Sequence, residues 1–330
     1  MNDFFLPALM TAGGLALLVA SGEYLVKGAV NLARQLNVSP AFIGLTVVAF
    51  GTSAPELFVS VDAALSGVPG LAVGNVVGSN IANILLILGL TALVYPIRHD
   101  RRTLRRDSLA LLGAVFLLLA LGARGDVPTL AGVAMVALIT AYLAYSYLRD
   151  ARDDEISRHL HEEEAAEIRP MPGGLPAILA AVVLGLIGLF LGARLLVTGA
   201  SDMARFFGVS DAVIGLTVVA VGTSLPELAA SAVAARRKQA DVALANVLGS
   251  NLMNILLILG LAGAVAPLPI DPKFMAIDLW VLLGATVVLL AVMDTKNGIT
   301  RLTGCAFLAT YAVYIMGQFL DLFPSGRSGL

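Results

Sequence analysis

The chain has 330 residues, of which 58% are hydrophobic and 13% are charged, and its formal net charge is −2. Soluble domains carry about 25% charged residues, so this composition is typical of an integral membrane protein. The slight negative charge argues against a nucleic-acid partner. The single cysteine, Cys305, excludes a disulfide within the chain and a metal cluster built on cysteines.

Apolar stretches of the length that spans a bilayer recur along the chain. A helix needs about 20 apolar residues to cross the hydrocarbon core, and charged or Pro-Gly segments divide the sequence into ten such stretches. No basic segment precedes the first one, so we expect no cleaved signal peptide. We predict an all-α polytopic membrane protein with ten transmembrane helices at about residues 6–33, 40–65, 70–94, 105–122, 127–148, 174–204, 210–235, 239–265, 274–293 and 301–321.

The Lys and Arg residues predict the orientation of these spans. With the N-terminus outside, the basic clusters at 98–106, 149–169 and 236–238 all fall in cytoplasmic loops. Cytoplasmic loops carry the excess of basic residues in membrane proteins. We therefore predict that both termini are extracytoplasmic and that the protein resides in a prokaryotic plasma (inner) membrane.

Two pairs of motifs repeat with a constant offset of 171 residues. GLTVVAFGTSAPEL at 44–57 returns as GLTVVAVGTSLPEL at 215–228, and GNVVGSNIANILLILGL at 74–90 returns as ANVLGSNLMNILLILGL at 245–261. A constant offset indicates a duplicated unit. Because each copy holds five spans, the second copy enters the membrane from the opposite side, which predicts inverted repeats. The predicted units are a first repeat at 1–148 with its motif at 44–90, a cytoplasmic linker loop at 149–172, and a second repeat at 173–330 with its motif at 215–261.

The segment GTSAPE at 51–56 places a carboxylate inside the second predicted span. Pro55 lacks a backbone donor and clashes with the preceding turn, so the helix should kink or break there. We expect the carbonyls of residues 49–52 to lose their intrahelical partners, which makes them available to a cation. A glutamate inside an apolar span, here Glu56, is costly and indicates a functional site.

The second copy offers the same groups, and the third and eighth spans add Ser-Asn pairs. Each pair is four residues apart, which puts both side chains on one face of a helix. Assembled between the repeats, these groups form a cage of oxygen atoms, which suits a hard cation such as Ca²⁺ or Na⁺ rather than zinc or copper. The predicted ligands are Glu56, Glu227, Asn83, Asn254, Thr52, Ser53, Thr223, Ser224, Ser79 and Ser250, with the carbonyls of Ala49 and Ala220.

Charge balance favours exchange over simple binding. One Ca²⁺, two Na⁺ or two protons would each neutralise the two buried glutamates. An empty site would hold uncompensated charge in a low dielectric, which penalises movement of the unloaded carrier.

Other polar and small residues in the spans receive structural interpretations. Glu23 and Lys27 have the spacing of an ion pair on one helix, and Asn80 and Asn251 are interpreted as helix-packing hydrogen bonders. The roles of Asn75 and Asn246 are left open. Glycines at 74, 78 and 249 are expected to let helices approach closely.

At these motifs the chain resembles the sodium/calcium exchanger family of the cation/calcium exchanger superfamily. GTSAPE with GSNIAN resembles the first alpha-repeat of that family, and GTSLPE with GSNLMN resembles the second. The resemblance implies antiport of Ca²⁺ against Na⁺ by alternating access, without an organic cofactor. It places the ions between spans 2, 3, 7 and 8, with spans 1 and 6 sliding as a gate.

The resemblance also assigns individual roles. Glu56 and Glu227 would be the central ligands, flanked by the Thr-Ser pairs and the two alanine carbonyls. Ser79 and Ser250 would serve outer Na⁺ sites beside the two asparagines. Well-studied exchangers often have aspartate where this chain has Asn254, which leaves the coupling ion and the stoichiometry open. The alternative within the superfamily is a Ca²⁺/H⁺ antiporter.

Two other classes of protein fit less well. A cation channel needs a continuous pore, which inverted repeats do not favour. An intramembrane enzyme would need a histidine or an aspartate pair in the spans, but the three histidines, at 99, 159 and 161, fall in charged loops and the repeated acids are glutamates. The sequence leaves the oligomeric state open.

Overall fold

The computed structural model describes residues 2–97, 101–150, 168–208, 220–295 and 297–320. Some predicted features lie outside the described residues: the start of the seventh span at 210–219, which includes the first residues of the second motif, most of the linker at 151–167, and all three histidines.

The described residues are mostly helical, because a chain in a bilayer must satisfy its backbone polar groups within the segment. Two short strands, β1 (Asp126–Val127) and β2 (Leu268–Pro269), pair antiparallel between loops. The helices are α1 (Asn2–Leu36), α2 (Pro40–Thr52), α3 (Ala54–Leu65), α4 (Pro69–Val94), α5 (Arg101–Arg124), α6 (Thr129–Asp150), α7 (Gly174–Phe206), α8 (Ala220–Gly222), α9 (Leu225–Arg236), α10 (Ala240–Val265), α11 (Phe274–Met293) and α12 (Arg301–Phe319).

Apolar helices of membrane-spanning length confirm that this is a polytopic membrane protein. The described residues contain seven such helices, and counting the bent pair α2–α3 as one span gives eight. The count of ten spans and the inversion of the repeats remain predictions.

The predicted break at Pro55 is present. Ser53 separates α2 from α3, and the two helices meet at an angle of 49°. Pro55 lies in the first turn of α3, where its missing N–H costs no hydrogen bond. In the second repeat, Pro226 takes the same place in the first turn of α9. Both prolines therefore start a helix within the region predicted as a single span.

The helices differ sharply in their burial. In their most apolar 18-residue windows, α4 is 78% buried and α10 is 94% buried, whereas α1 is 22% and α7 is 28% buried. We call α2, α3, α4, α9 and α10, which carry most of the predicted cation ligands, the ion core, and α1 with α7 the outer pair. Within the ion core, α4 and α10 are enclosed by protein, whereas the outer pair presents most of its surface outward.

Glycines bring the two helices of the outer pair close together. A Cβ atom added to Gly14 would lie 2.5 Å from the Leu196 nitrogen, and one added to Gly199 would lie 2.6 Å from the Pro7 oxygen. Only glycine allows backbones to approach this closely in a membrane helix pair. The small residues thus join α1 and α7 along most of their length.

The three glycines predicted to allow close approach have different surroundings. Gly249 confirms the prediction, since an added Cβ would lie 2.3 Å from the Leu45 oxygen of α2. Gly74 faces the ring of Phe274 at 3.3 Å, which is a looser contact. The prediction is wrong for Gly78, because an added Cβ there would meet no atom within 4 Å.

The expected ion pair within α1 is also wrong. Glu23 does not bond Lys27, one turn further along α1. It accepts hydrogen bonds from Arg236 and Arg237 at the end of α9, and Arg237 Nε lies 2.7 Å from Glu23 Oε2. This contact connects the outer pair to the ion core.

Candidate functional site

The first half of the candidate site forms where α2 ends and α3 begins. Glu56 lies in the first turn of α3, and the residue is only 1% exposed. The first turn of a helix has free N–H groups and a partial positive charge, which stabilise a carboxylate there. The break at Ser53 therefore creates a helix terminus inside the membrane, and Glu56 is placed at it.

The second half repeats this arrangement. Glu227 lies in the first turn of α9 and is also 1% exposed. Ser224 precedes α9 and is buried, while the neighbouring Thr223 is partly buried. Ala220 begins α8, directly after the residues that are not described, and its side chain also lies outside the described set.

Side chains of one half reach the carboxylate of the other half. The hydroxyl of Ser53 donates to Glu227 Oε1 at 3.0 Å. Thr52 also lies near Glu227, and Thr223 lies near Glu56. The two carboxylates are close enough to interact electrostatically. The structure thus brings together five of the predicted ligands from both repeats, which are Glu56, Glu227, Thr52, Thr223 and Ser53.

The amide of Asn254 is oriented by a chain of hydrogen bonds. Ser79 donates its only hydroxyl hydrogen to a backbone carbonyl, with the Asn75 oxygen at 2.7 Å. Ser79 Oγ can therefore only accept from Asn254, and Asn254 Nδ2 donates to it at 3.0 Å. Within the described part of the chain, this leaves Asn254 Oδ1 without a hydrogen-bond partner.

A second chain of hydrogen bonds orients Asn83. Asn251 Nδ2 faces the backbone oxygen of Asn80 at 3.5 Å, so Asn251 Oδ1 faces Asn83. Asn83 Nδ2 donates to it at 3.0 Å. Asn83 Oδ1 then also has no hydrogen-bond partner in the residues that the structure describes. Asn251 thus joins α10 to α4 by a hydrogen bond, in agreement with its interpretation as a helix-packing hydrogen bonder.

In the described residues, five of the ten buried side-chain oxygen atoms without a hydrogen-bond partner belong to predicted ligands. Such atoms are rare in folded proteins, and each one calls for a bound group or another cause. Among the predicted ligands these atoms are Glu56 Oε2, Glu227 Oε2, Asn83 Oδ1, Asn254 Oδ1 and Ser250 Oγ.

The carbonyl of Ala49 differs from the prediction. It accepts the N–H of Ser53 at 3.0 Å and lies 3.3 Å from the hydroxyl of Thr52. The expectation that this carbonyl loses its partners at the proline is therefore wrong. Since a carbonyl oxygen has two lone pairs, Ala49 is a weaker candidate ligand than the carboxylates.

Asn75 and Asn246, whose roles the sequence left open, form hydrogen bonds that brace the segments carrying the two glutamates. Asn75 Nδ2 donates to Ser60 Oγ at 2.9 Å and lies 3.2 Å from the Glu56 carbonyl. In the second repeat, Asn246 Nδ2 donates to Ser231 Oγ at 2.9 Å and lies 3.5 Å from the carbonyl of the matching glutamate. Ser60 and Ser231 share the 171-residue offset, so a search of the repeats for matched polar residues would have found this brace.

The donor atoms of the candidate site are of the kind that hard cations prefer. In the described parts of the chain, no three His, Cys, Asp or Glu side chains come together as a metal cluster. The available atoms are carboxylate, amide and hydroxyl oxygens, which Ca²⁺ and Na⁺ prefer. π-helical turns at Asn83–Ile87 and Met253–Ile258 coincide with the two asparagines, and such turns often occur at functional sites.

Comparison with known proteins gives a consistent result. The family described as sodium/calcium exchanger protein matches residues 6–148 and 177–320. CaxA of Alkalimonas amylolytica is 41% identical over 94% of this chain and 97% of its own. The sodium/calcium exchanger MaX1 of Methanosarcina acetivorans is 33% identical over 93% of this chain and 96% of its own.

A solved structure agrees in fold as well as in sequence. The sodium-calcium exchanger NCX_Mj, soaked with zero Na⁺ and Ca²⁺, aligns with a TM-score of 0.82 and 33% identity, over 96% of this chain and 99% of NCX_Mj. The family resemblance seen in the motifs is thereby confirmed. This chain belongs to the sodium/calcium exchanger protein family.

Proposed function

We propose that the protein is an antiporter that exchanges Ca²⁺ for Na⁺ across the membrane by alternating access. The observation that carries the proposal is the pair Glu56 and Glu227. Each lies in the first turn of a helix that begins inside the membrane region, and each has a buried oxygen that no described residue hydrogen-bonds. The ions would bind at the midplane, between the second, third, seventh and eighth predicted spans.

The ligand set that we propose has an inner and an outer part. Glu56 and Glu227 would bind Ca²⁺ together with Thr52 and Thr223, which lie near the opposite carboxylates. The remaining members would complete the Na⁺ positions; they are Ser53, Ser224, Ser79, Ser250, Asn83, Asn254 and the carbonyls of Ala49 and Ala220.

The proposed architecture is ten spans in two inverted repeats. α12 has 19 residues, which at about 1.5 Å per residue gives about 28 Å, close to the thickness of the hydrocarbon core. The loop contacts support inversion, because they recur at nearly matched positions of the two repeats. Ile97 bridges to Ile299, and Leu268, which follows Ile97 by 171 residues, pairs with Val127.

The proposed location is the plasma (inner) membrane with both termini outside the cytoplasm. Arg149 at the end of α6 and Arg236 at the end of α9 would then face the cytoplasm, as would the predicted linker at 149–172. α6 ends at Asp150 and α7 begins at Gly174, so the helix boundaries agree with the predicted linker position.

The charge of the site supports exchange rather than one-way transport. Two buried carboxylates without a paired base would repel each other and be poorly solvated when no cation is bound. Ca²⁺ or two Na⁺ restores neutrality, so the loaded forms cross between states more easily than the empty one. A carrier of this kind releases one ion only when another takes its place.

Sodium is the proposed counter-ion. Hydroxyl and amide oxygens, such as Ser250 Oγ and Asn83 Oδ1, can bind Na⁺ but take up no proton near neutral pH. MaX1 and NCX_Mj are both named as exchangers of sodium and calcium. Protons are the alternative, since two carboxylates can also be neutralised by protonation and Asn254 contributes no charge.

Flux into proteoliposomes of the purified protein tests the proposal. Vesicles loaded with Na⁺ and diluted into Na⁺-free buffer at matched pH should take up radioactive Ca²⁺. Vesicles with a pH gradient and no Na⁺ should take up little. Uptake driven by the pH gradient alone would contradict Na⁺ coupling and assign the protein to Ca²⁺/H⁺ exchange. Flux that needs no counter-ion at all would indicate a channel.

A further inference from the structure

We propose that Asn254 makes the two hydroxyl sites of the exchanger unequal, so that Ser250 binds Na⁺ and Ser79 binds it only weakly. The inference rests on the proposed function and adds to it the residue that limits how many Na⁺ ions the site takes. Ser79 and Ser250 occupy matched positions in α4 and α10, and the sequence alone treats them as equivalent.

The hydrogen bonds of Ser79 leave it little capacity for a cation. Its hydroxyl hydrogen goes to a backbone carbonyl, with the Asn75 oxygen at 2.7 Å, and its oxygen accepts from Asn254 Nδ2 at 3.0 Å. One of its two lone pairs is therefore used. The amide hydrogen also places positive partial charge beside the oxygen that a cation would approach.

Ser250 has the opposite environment. The residue is fully buried, at 0% exposure, and its Oγ has no hydrogen-bond partner among the described residues. The matched asparagine, Asn83, directs its amide nitrogen away to Asn251 Oδ1 at 3.0 Å and not to Ser250. Both lone pairs of Ser250 Oγ thus remain available in a place where an unpaired oxygen is unfavourable without a ligand.

The side chain at position 254 determines this difference. An aspartate there could accept hydrogen bonds but, as a carboxylate, could not donate one to Ser79 Oγ. The two oxygens would then repel each other unless a cation lay between them, so the same position would complete a site at Ser79. In this chain the Asn254 amide instead donates a hydrogen bond to Ser79 Oγ, so no cation is needed between the two side chains.

Competition between Na⁺ and radioactive Ca²⁺ for the purified protein at equilibrium tests the inference. Ser250→Ala should raise the Na⁺ concentration that displaces half of the Ca²⁺ by about fivefold or more, the factor that corresponds to about 1 kcal/mol. Ser79→Ala should raise it by a clearly smaller factor than Ser250→Ala, because one lone pair of Ser79 Oγ already accepts from Asn254. Ca²⁺ binding without Na⁺ checks that each variant is folded, and Ser→Cys at both positions replaces alanine if it is not.

The Asn254→Asp variant provides the decisive comparison. It should strengthen Na⁺ competition, and Ser79→Ala added to it should weaken that competition by about fivefold, although the same change has a smaller effect in the natural chain. Equal effects of Ser79→Ala and Ser250→Ala in the natural chain would overturn the inference. So would an absence of any effect of Ser79→Ala in the Asn254→Asp background.

Transport and binding measurements test the proposed function and the inference about Asn254 separately. Lack of Na⁺-driven Ca²⁺ flux in proteoliposomes would contradict the proposed function, while equilibrium competition would still compare Ser79 with Ser250. Failure of Na⁺ to displace Ca²⁺ from the natural chain would overturn the inference itself.

Discussion

The ion core and the outer pair are both built from apolar helices, but they differ in how deeply they are buried and in the contacts that hold their helices together. In α4 and α10 most of the apolar window is buried, at 78% and 94%, and polar side chains meet inside. In α1 and α7 the corresponding values are 22% and 28%, and the helices contact each other through glycines.

This difference suggests a division of labour. The ion core is held by hydrogen bonds between side chains of both repeats, such as Ser53 to Glu227 and Asn83 to Asn251. Polar contacts of this kind have fixed geometry and resist sliding. The outer pair packs through smooth, small-residue surfaces, which can move as one body. We expect the ion core to bind and the outer pair to move.

The largest expected effect comes from removing one of the two core carboxylates. Glu56→Gln or Glu227→Gln should lower Ca²⁺ exchange at least about hundredfold, since loss of one charged partner in a buried site costs about 3 kcal/mol or more. The measurement is initial Ca²⁺ uptake in proteoliposomes. Asp126→Asn, at an exposed ion pair with Arg124, is the matched control and should keep normal exchange. Normal flux in either glutamine variant would contradict the assignment of the site.

Disulfide cross-links should show which helices move during transport and which stay in place. A Cβ added to Gly22 of α1 lies 3.5 Å from Cβ of Val233 in α9, within the range of disulfides. In a chain with Cys305 replaced by Ser, Gly22→Cys with Val233→Cys should reduce exchange about tenfold or more on oxidation, if α1 slides past α9. A reductant should restore it.

The control cross-link lies inside the outer pair. A Cβ added to Gly28 lies 3.3 Å from Cβ of Ala181 in α7. Because α1 and α7 are expected to move together, oxidation of Gly28→Cys with Ala181→Cys should leave exchange nearly unchanged. Equal inhibition by both cross-links, or no inhibition by either, would contradict the expected movement of the outer pair relative to the ion core.

The hydrogen bonds of Asn75 and Asn246 near the two glutamates should affect Ca²⁺ affinity more than the maximal rate of exchange. Asn246→Ala removes the hydrogen bond to Ser231 and the contact of Asn246 Oδ1 with Thr52 at 3.4 Å. Loss of about 1–1.5 kcal/mol should weaken Ca²⁺ half-saturation about tenfold with little change in maximal rate. Asn75→Ala, whose hydrogen bonds in the described structure go to Glu56 and Ser60 of its own repeat, should have a smaller effect. A fall in maximal rate alone would indicate a different role.

The smallest effect is expected at the contact between the two regions. Glu23→Gln removes the ion pair of α1 with Arg236 and Arg237 of α9. Exposed ion pairs contribute at most about 1 kcal/mol, so the ratio of Ca²⁺ half-saturation measured from the two membrane faces should shift by no more than about fivefold. Asp202→Asn breaks a pair with Arg205 within α7 alone and should leave this ratio unchanged. A shift of the same size in the control would contradict a role in gating.

The sequence alone predicted the local features of the ion core. Pro55 and Pro226 mark helix starts because proline constrains its own turn, and the position of Glu56 one residue later follows directly. The constant offset identified both halves of the site, since matched polar residues in apolar spans are costly and easily recognised.

Contacts between distant segments were beyond the sequence. The pairing of Glu23 with Arg237 joins residues 214 positions apart, and helix periodicity favoured Lys27 instead. The direction of the Asn254 amide depends on which partner Ser79 chooses for its hydrogen, which only the packed structure decides. Asp107 and Asp278 also lie 171 residues apart and accept hydrogen bonds from Tyr142 and Tyr314, a repeat that could have been found and was missed.

Diffraction from crystals soaked with Sr²⁺, a heavier analogue of Ca²⁺, tests the central claim most directly. The account predicts one strong anomalous peak between α3 and α9, with Glu56 and Glu227 oxygens slightly beyond the Ca²⁺–oxygen range of about 2.3–2.6 Å because Sr²⁺ is the larger ion, and loss of the peak in Glu56→Gln with Glu227→Gln. A peak elsewhere in the molecule, or one that persists in the double variant, would contradict the site at which we propose that Ca²⁺ is exchanged.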